Sequence, residues 1–182
     1  VLKASEDAPL TANFFAKLSK QANLPDGTLN IIHGNGQLSG KALVDHNMIN
    51  VISFTGSSEV GKIVAEICAK RFIRVSLELG GKNPIVICDD ADIDKAVDWA
   101  LLSGFSNAGQ RCSSGSRIII FQNIYKEFKD KFIKRTKSLK LGTEKNCDLG
   151  PVISRKHQNK IIDIINEANH SGAKILCGGE IP

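Results

Sequence analysis

Val51-Ile52-Ser53-Phe54-Thr55-Gly56-Ser57-Ser58-Glu59-Val60-Gly61 passes from an apolar strand, through a turn containing glycine, into a helix. The helix runs from about Ser57 to Ala69, with Val60, Ile63, Val64 and Ile67 at helical spacing on one face. Strand, glycine turn and helix in immediate succession is the unit from which mostly parallel α/β sheets are assembled. A helix starting at the carboxyl end of a strand turns its free amides and positive dipole end outward, a place that suits a pyrophosphate. The stretch is neither a Gly-x-Gly-x-x-Gly fingerprint nor a Walker loop, and Ser57 as an ordinary N-cap is the competing reading.

The alternation continues on both sides. Val1 to Ala4 reads as the end of a strand, and Pro9 opens a helix with Leu10, Phe14, Leu18 and Ala22 as its buried stripe. Leu24-Pro25-Asp26-Gly27 is a turn, Leu29 to Ile32 a strand and Gly40 to His46 a helix. Downstream, Val75 to Leu77 and Pro84 to Cys88 are strand-like. Asp89, Asp90 and Asp92 then place negative charge at the start of a helix carrying Ile93, Val97, Ala100 and Leu101. Arg117 to Phe121 is a strand, Ile124 to Lys137 and His157 to Asn169 are amphipathic helices, and Lys174 to Cys177 is a final strand. The fold class is α/β, and the Gly80-Gly81 pair, which interrupts the pattern between two strand-like runs, marks the expected boundary between residues 1–80 and 81–182.

Length leaves one domain or two open: 182 residues, 42% of them hydrophobic, suffice for a sizeable core. The chain starts at Val1 without an initiator Met and stops at Ile181-Pro182 just after a Gly-Gly turn signal, the look of a piece truncated at both ends. A net charge of +5 does not imply nucleic acid, because the 24 basic residues are mixed with 19 acids and aromatics are only 5%. No segment approaches the roughly 20 apolar residues of a membrane helix, and no signal-peptide pattern is present. The five cysteines are odd in number and far apart, which points to a reducing, cytoplasmic setting rather than a disulfide framework. None pairs with the four scattered histidines at ligand spacing, so no metal site is expected.

Two polar residues carry candidate chemistry. Cys112, in Ala108-Gly109-Gln110-Arg111-Cys112-Ser113-Ser114-Gly115, lies in a small-residue segment between a helix and a strand. A helix start there, or the neighbouring Arg111 cation, favours a thiolate nucleophile; an inert core cysteine is the bland alternative. Glu78, in Ser76-Leu77-Glu78-Leu79-Gly80-Gly81, is a carboxylate in an apolar strand end, where desolvation would suit a general base and a simple ion pair is the alternative.

Taken together, Leu77-Glu78-Leu79-Gly80-Gly81-Lys82-Asn83-Pro84 and Gly109-Gln110-Arg111-Cys112 resemble the paired active-site signatures of the aldehyde dehydrogenase superfamily, and their separation, 112 − 78 = 34, fits it. Phe54-Thr55-Gly56-Ser57 and Lys3-Ala4-Ser5-Glu6 are similar to that family's cofactor-binding segments, in the same order.

The resemblance implies a Rossmann-like cofactor portion followed by an α/β catalytic portion, and NAD(P)-dependent oxidation of a small-molecule aldehyde to a carboxylic acid. It implies Cys112 as nucleophile, forming a thiohemiacetal and then a thioester, and Glu78 as the base that activates water. Gly56 and Ser57 would border the pyrophosphate, with Phe54, Val60 and Leu79 nearby. Lys3 and Glu6 would bind the adenosine ribose, the Glu6 carboxylate repelling a 2′-phosphate and favouring NAD over NADP. Gly36 and Gly40 would line the adenine side, with ordinary turn glycines as the rival reading. Ala4 stands where the family commonly has proline, which is expected to loosen the local backbone. A homo-oligomer, dimer or tetramer, is implied, with no nucleic-acid or membrane partner. The family's oxyanion-hole asparagine would precede Val1 and its nicotinamide-ribose segment would follow Pro182, so the 182 residues alone are expected to catalyse poorly. A CoA-acylating member and a non-catalytic structural member are the alternatives.

Overall fold

The computed structural model describes residues 1–181. Three parallel β-α-β steps follow one another along the chain. In the first, β1 (Leu2–Lys3) and β2 (Ile31–Ile32) pair through α1 (Pro9–Gln21). In the second, β3 (Val51–Gly56) and β4 (Arg74–Leu79) pair along their whole length, from Val51 opposite Arg74 to Gly56 opposite Leu79, and α3 (Ser58–Lys70) connects them. In the third, β5 (Asn83–Ile87) and β6 (Gly115–Ile120) are joined by α4 (Ile93–Phe105), with an irregularity in register between Asn83 and Pro84. Parallel neighbours need a crossover of a dozen or more residues, and each of these helices supplies 13. A π-helical turn at Gly36–Gly40 leads into the short α2 (Lys41–Asp45), while α5 (Tyr125–Lys137) and α6 (Arg155–His170) follow the third step.

The chain divides into two compact units, Val1–Leu79 and the residues from Gly80 onward, and each has its own core. In the first unit, Ile52 of β3 meets Val64 and Cys68 of α3, with Phe54, Ile73 and Leu77 packed around them. In the second, Ile87 meets Val97, Ala100 and Leu101 of α4 and Phe128 of α5, and the Phe128 ring stacks on Phe132 at 5.7 Å.

Helix starts follow the sequence signals. Pro9 occupies the first turn of α1, and Ser57, Asp92 and Ser154 cap α3, α4 and α6 through side-chain oxygens that accept backbone N–H bonds.

Three expectations are not met as stated. The α1 stripe is not buried: Leu10 is 78% and Phe14 59% exposed, Leu18 is exposed too, and Ala12 is the buried residue of that helix. The periodicity identifies an apolar face, but no element of the described residues covers it. Lys174 to Cys177 forms no strand, and Ile175 and Leu176 remain exposed, because no neighbouring strand offers a ladder of hydrogen bonds. The strand expected over Leu29 to Ile32 is confined to Ile31–Ile32.

Candidate active site

In the first unit, three polar groups converge where β1 leaves the sheet. The Lys3 ammonium, on a side chain only 15% exposed, pairs with Glu6 at 3.1 Å and donates to the Gly34 carbonyl at 2.9 Å. The amide of Gly36 donates to the Glu6 carboxylate at 3.3 Å. The Glu6 carboxyl is held below its usual range, chiefly by its own backbone amide, then by Lys3 and the Gly36 amide. Gly36 thus contributes through its N–H, and a side chain there would point into open space. Gly40 packs against the Lys3 stem, where a Cβ would lie 3.6 Å from Lys3 Cδ. The residue whose conformation demands glycine is Gly34, at φ +132°, which sequence reading passed over.

The expected loosening at Ala4 is not seen. Its N–H donates to the Ile32 carbonyl at 3.1 Å, a bond that proline cannot make, and it extends the β1–β2 pairing by one rung.

At the end of β3 the phenyl ring of Phe54 lies across Gly56, where a Cβ would fall 2.4 Å from the ring. Ser57 is the N-cap of α3, its hydroxyl accepting from the Val60 amide at 3.3 Å. That cap satisfies one amide, and α-helix geometry leaves those of Ser58 and Glu59 without an intrahelical partner. Gly61, one turn on, lets α3 approach β4 closely: a Cβ there would sit 2.7 Å from Leu79 Cδ2.

Glu78 is exposed, contrary to the expected desolvation. Strand alternation is the reason: Leu77 and Leu79 turn toward α3, so Glu78 between them turns to the opposite face.

In the second unit Cys112 is an exposed free thiol on the loop between α4 and β6, and no helix starts at it. The loop is held at many points. Asn107, Ala108 and Gly109 have φ of 55°, 54° and 70°, three successive left-handed residues that reverse the chain. Gln110 donates to the Asn107 carbonyl at 3.1 Å and accepts from the Ile153 amide at 2.9 Å. Ser114 N–H closes a turn onto the Arg111 carbonyl at 3.2 Å. Asn83 donates from its side-chain amide to the carbonyls of Cys112 at 2.7 Å and Ser114 at 3.3 Å. Beside the loop, Trp99, Leu102, Ser103, Ser106, Arg111, Ser113 and Ser114 line a cleft of about 220 Å³. The Ser114 hydroxyl is buried there without a hydrogen-bond partner.

Asn83, Gln110 and Ser103, whose hydroxyl accepts from Gly115 N–H at 3.1 Å, are the residues sequence reading did not single out. A polar side chain at the first position of a strand, just before proline, was the available signal for Asn83.

Among the described residues no cluster of His, Cys, Asp and Glu is arranged to hold a metal, and no helix is long and apolar enough to cross a membrane.

The aldehyde dehydrogenase family model matches residues 1–182, and the chain belongs to that family. It is 43% identical to aldehyde dehydrogenase 9 of Polyandrocarpa misakiensis, covering 99% of this chain and 80% of that protein. It is 42% identical to human retinaldehyde dehydrogenase 3, over 98% of this chain and 36% of the relative. Betaine aldehyde dehydrogenase from Staphylococcus aureus, solved in complex with NAD+, matches it with a TM-score of 0.95 at 42% identity, covering 99% of this chain and 36% of that one. The chain therefore spans just over a third of the length of the last two.

Proposed function

We propose that the protein carrying this chain oxidises an aldehyde to a carboxylic acid with NAD. The observation that carries this reading is an exposed thiol, Cys112, on a loop tied down at both flanking peptides, in a chain of this family. The similarity to NAD-bound betaine aldehyde dehydrogenase and to retinaldehyde dehydrogenase supports the cofactor and the substrate class.

The residues present fit NAD. Lys3 and Glu6, already ordered on each other and on Gly34 and Gly36, offer a donor and an acceptor for ribose hydroxyls. The anionic Glu6 opposes a 2′-phosphate. Gly56, Ser57 and the start of α3 would border the pyrophosphate, with Phe54, Val60 and Leu79 beside them and Gly40 toward the adenine. Bound NAD supplies the hydride acceptor.

Cys112 Sγ, as thiolate, adds to the aldehyde carbonyl carbon, and the Cys112 N–H holds the resulting oxyanion. Once the carbon is oxidised, the acyl group remains on Sγ as a thioester. Glu78 takes a proton from the water that hydrolyses it and returns Cys112 to the thiol or thiolate. A reducing, cytoplasmic setting and a homo-oligomeric assembly belong to the same reading; the five cysteines are free thiols, which supports the former.

The test is NADH production by the protein carrying this chain, with a panel of aldehydes, with and without CoA, for wild type, Cys112→Ala and Glu78→Gln. Aldehyde-dependent turnover lost in Cys112→Ala and stalled after one burst in Glu78→Gln is the expected result. CoA-dependent turnover indifferent to Glu78 would replace hydrolysis by acyl transfer to CoA. Absence of turnover with every aldehyde would overturn the enzyme reading.

A further inference from the structure

We propose that Asn83 is a positioning residue for Cys112, fixing the peptide that follows the sulfur-bearing residue; this rests on the reading of Cys112 as nucleophile. A peptide is planar and trans, so fixing its carbonyl fixes its N–H in the opposite direction. The plane before Cys112 is fixed by the turn bond from Ser114 N–H to the Arg111 carbonyl, 3.2 Å. The plane after it is fixed by Asn83, whose amide donates to the Cys112 carbonyl at 2.7 Å. With both planes held, the backbone of Cys112 has one conformation. The same Asn83 amide also holds the Ser114 carbonyl at 3.3 Å. Both carbonyls are therefore turned toward Asn83, and the segment from Cys112 to Ser114 is held against the start of β5.

The fold builds this clamp deliberately. Asn83 faces Gly115 across the β5–β6 pair, but Pro84 faces Arg117, so Ser116 is an extra residue on β6. Such bulges re-aim side chains at strand ends. Arg117, just past the bulge, donates from Nε to the Lys82 carbonyl at 2.9 Å and anchors the peptide that precedes Asn83. Asn83 is half-buried and holds two carbonyls with one amide group, an arrangement no apolar residue of its size reproduces.

The chain contains its own controls, since Cys88 is exposed and Cys68 is fully buried. Wild type, Asn83→Ala and Asn83→Leu are alkylated with iodoacetamide over a range of pH, and the rate at each cysteine is read by peptide mass spectrometry. The expected result is a fall of about fivefold in the Cys112 rate relative to Cys88 at neutral pH, while Cys68 stays protected. An unchanged Cys112 to Cys88 ratio in variants that keep Cys68 protected overturns the proposal. If neither variant folds, the wild type decides: Asn83 side-chain amide protons that exchange with solvent as fast as those of a free asparagine overturn it, and slowed exchange supports it. None of these readouts needs an aldehyde or NAD, so the clamp and the dehydrogenase reading fail independently.

Discussion

The side-chain amide of Asn83 and the main-chain carbonyl of Cys112 lie 2.7 Å apart across 29 positions of sequence. The contact joins the first residue of one strand to the loop that precedes its partner, so the thiol loop inherits the rigidity of the β5–β6 pair.

Gly115, where the loop enters β6, is where that rigidity is most easily lost. A Cβ there would lie 2.2 Å from Ile85 Cδ1 and 2.9 Å from Ser103 Oγ. Gly115→Ala is expected to destabilise the second unit by about 1–3 kcal/mol through overpacking. It should also disturb the Gly115 N–H bond to Ser103. Urea denaturation followed by tryptophan fluorescence from Trp99 measures the loss; a midpoint equal to wild type would show that β5 yields freely.

Phe128 is the largest fully buried side chain, 1% exposed, and it links α5 to α4 and β5. Phe128→Ala removes that volume and the stack on Phe132, an expected cost of about 3–5 kcal/mol, against about 1 kcal/mol for the better-filling Phe128→Leu. Urea midpoints at constant slope distinguish the two variants, and equal losses would mean that shape rather than volume controls this core.

Arg71, the C-cap of α3, donates through Nη1 to the Val44 carbonyl and through Nη2 to those of His46 at 2.6 Å and Ile49 at 3.0 Å. The three carbonyls are divided between two nitrogens of a rigid planar fork, a spacing that a compact ammonium on a flexible stem does not match. Arg71→Ala is expected to cost about 2–3 kcal/mol in the first unit. Arg71→Lys should recover less than half of it, and full recovery by lysine in chemical denaturation would show that charge alone matters.

The Glu6 carboxyl, held low by its own amide, Lys3 and the Gly36 amide, sets a pH limit on the Lys3–Gly36 arrangement. A carboxyl whose folded pKa is depressed contributes stability above its unfolded value and loses it as pH falls through the folded value. The arrangement should persist through neutral and mildly acid pH and open only below the usual carboxylate range. The Gly36 amide resonance followed by NMR from neutral to strongly acid pH should titrate with a midpoint below that of an ordinary glutamate. It should not titrate in Glu6→Gln, and an ordinary midpoint in wild type would refute the description.

Much of this was legible from residue order. Ser57, Pro9 and Asp92 announced their helices, and apolar runs announced all six strands, with β2 shorter and β4 longer than expected. What failed depended on neighbours. Leu10 and Phe14 form an apolar face whose covering element periodicity cannot supply, and Lys174 to Cys177 has strand composition without a strand to pair with. The exposure of Glu78 is readable from the Leu77-Glu78-Leu79 alternation, which puts its apolar neighbours on the other face of the strand. Asn83 and Arg71 act through bonds to carbonyls, which every residue possesses, so no sequence pattern marks their partners.

The β3–β4 pair has one apolar and one hydrophilic face. Ile52, Phe54, Leu77 and Leu79 lie on the side of α3, while Ser53, Thr55, Ser76 and Glu78 lie on the other, exposed. Parallel strands usually read as continuous apolar runs because helices cover both faces. A surface of two serines, a threonine and a carboxylate instead retains a layer of water, and whatever approaches it must displace or share those waters. Any element that covers this face therefore has to satisfy the Ser53, Thr55 and Ser76 hydroxyls and the Glu78 carboxylate with hydrogen bonds of its own.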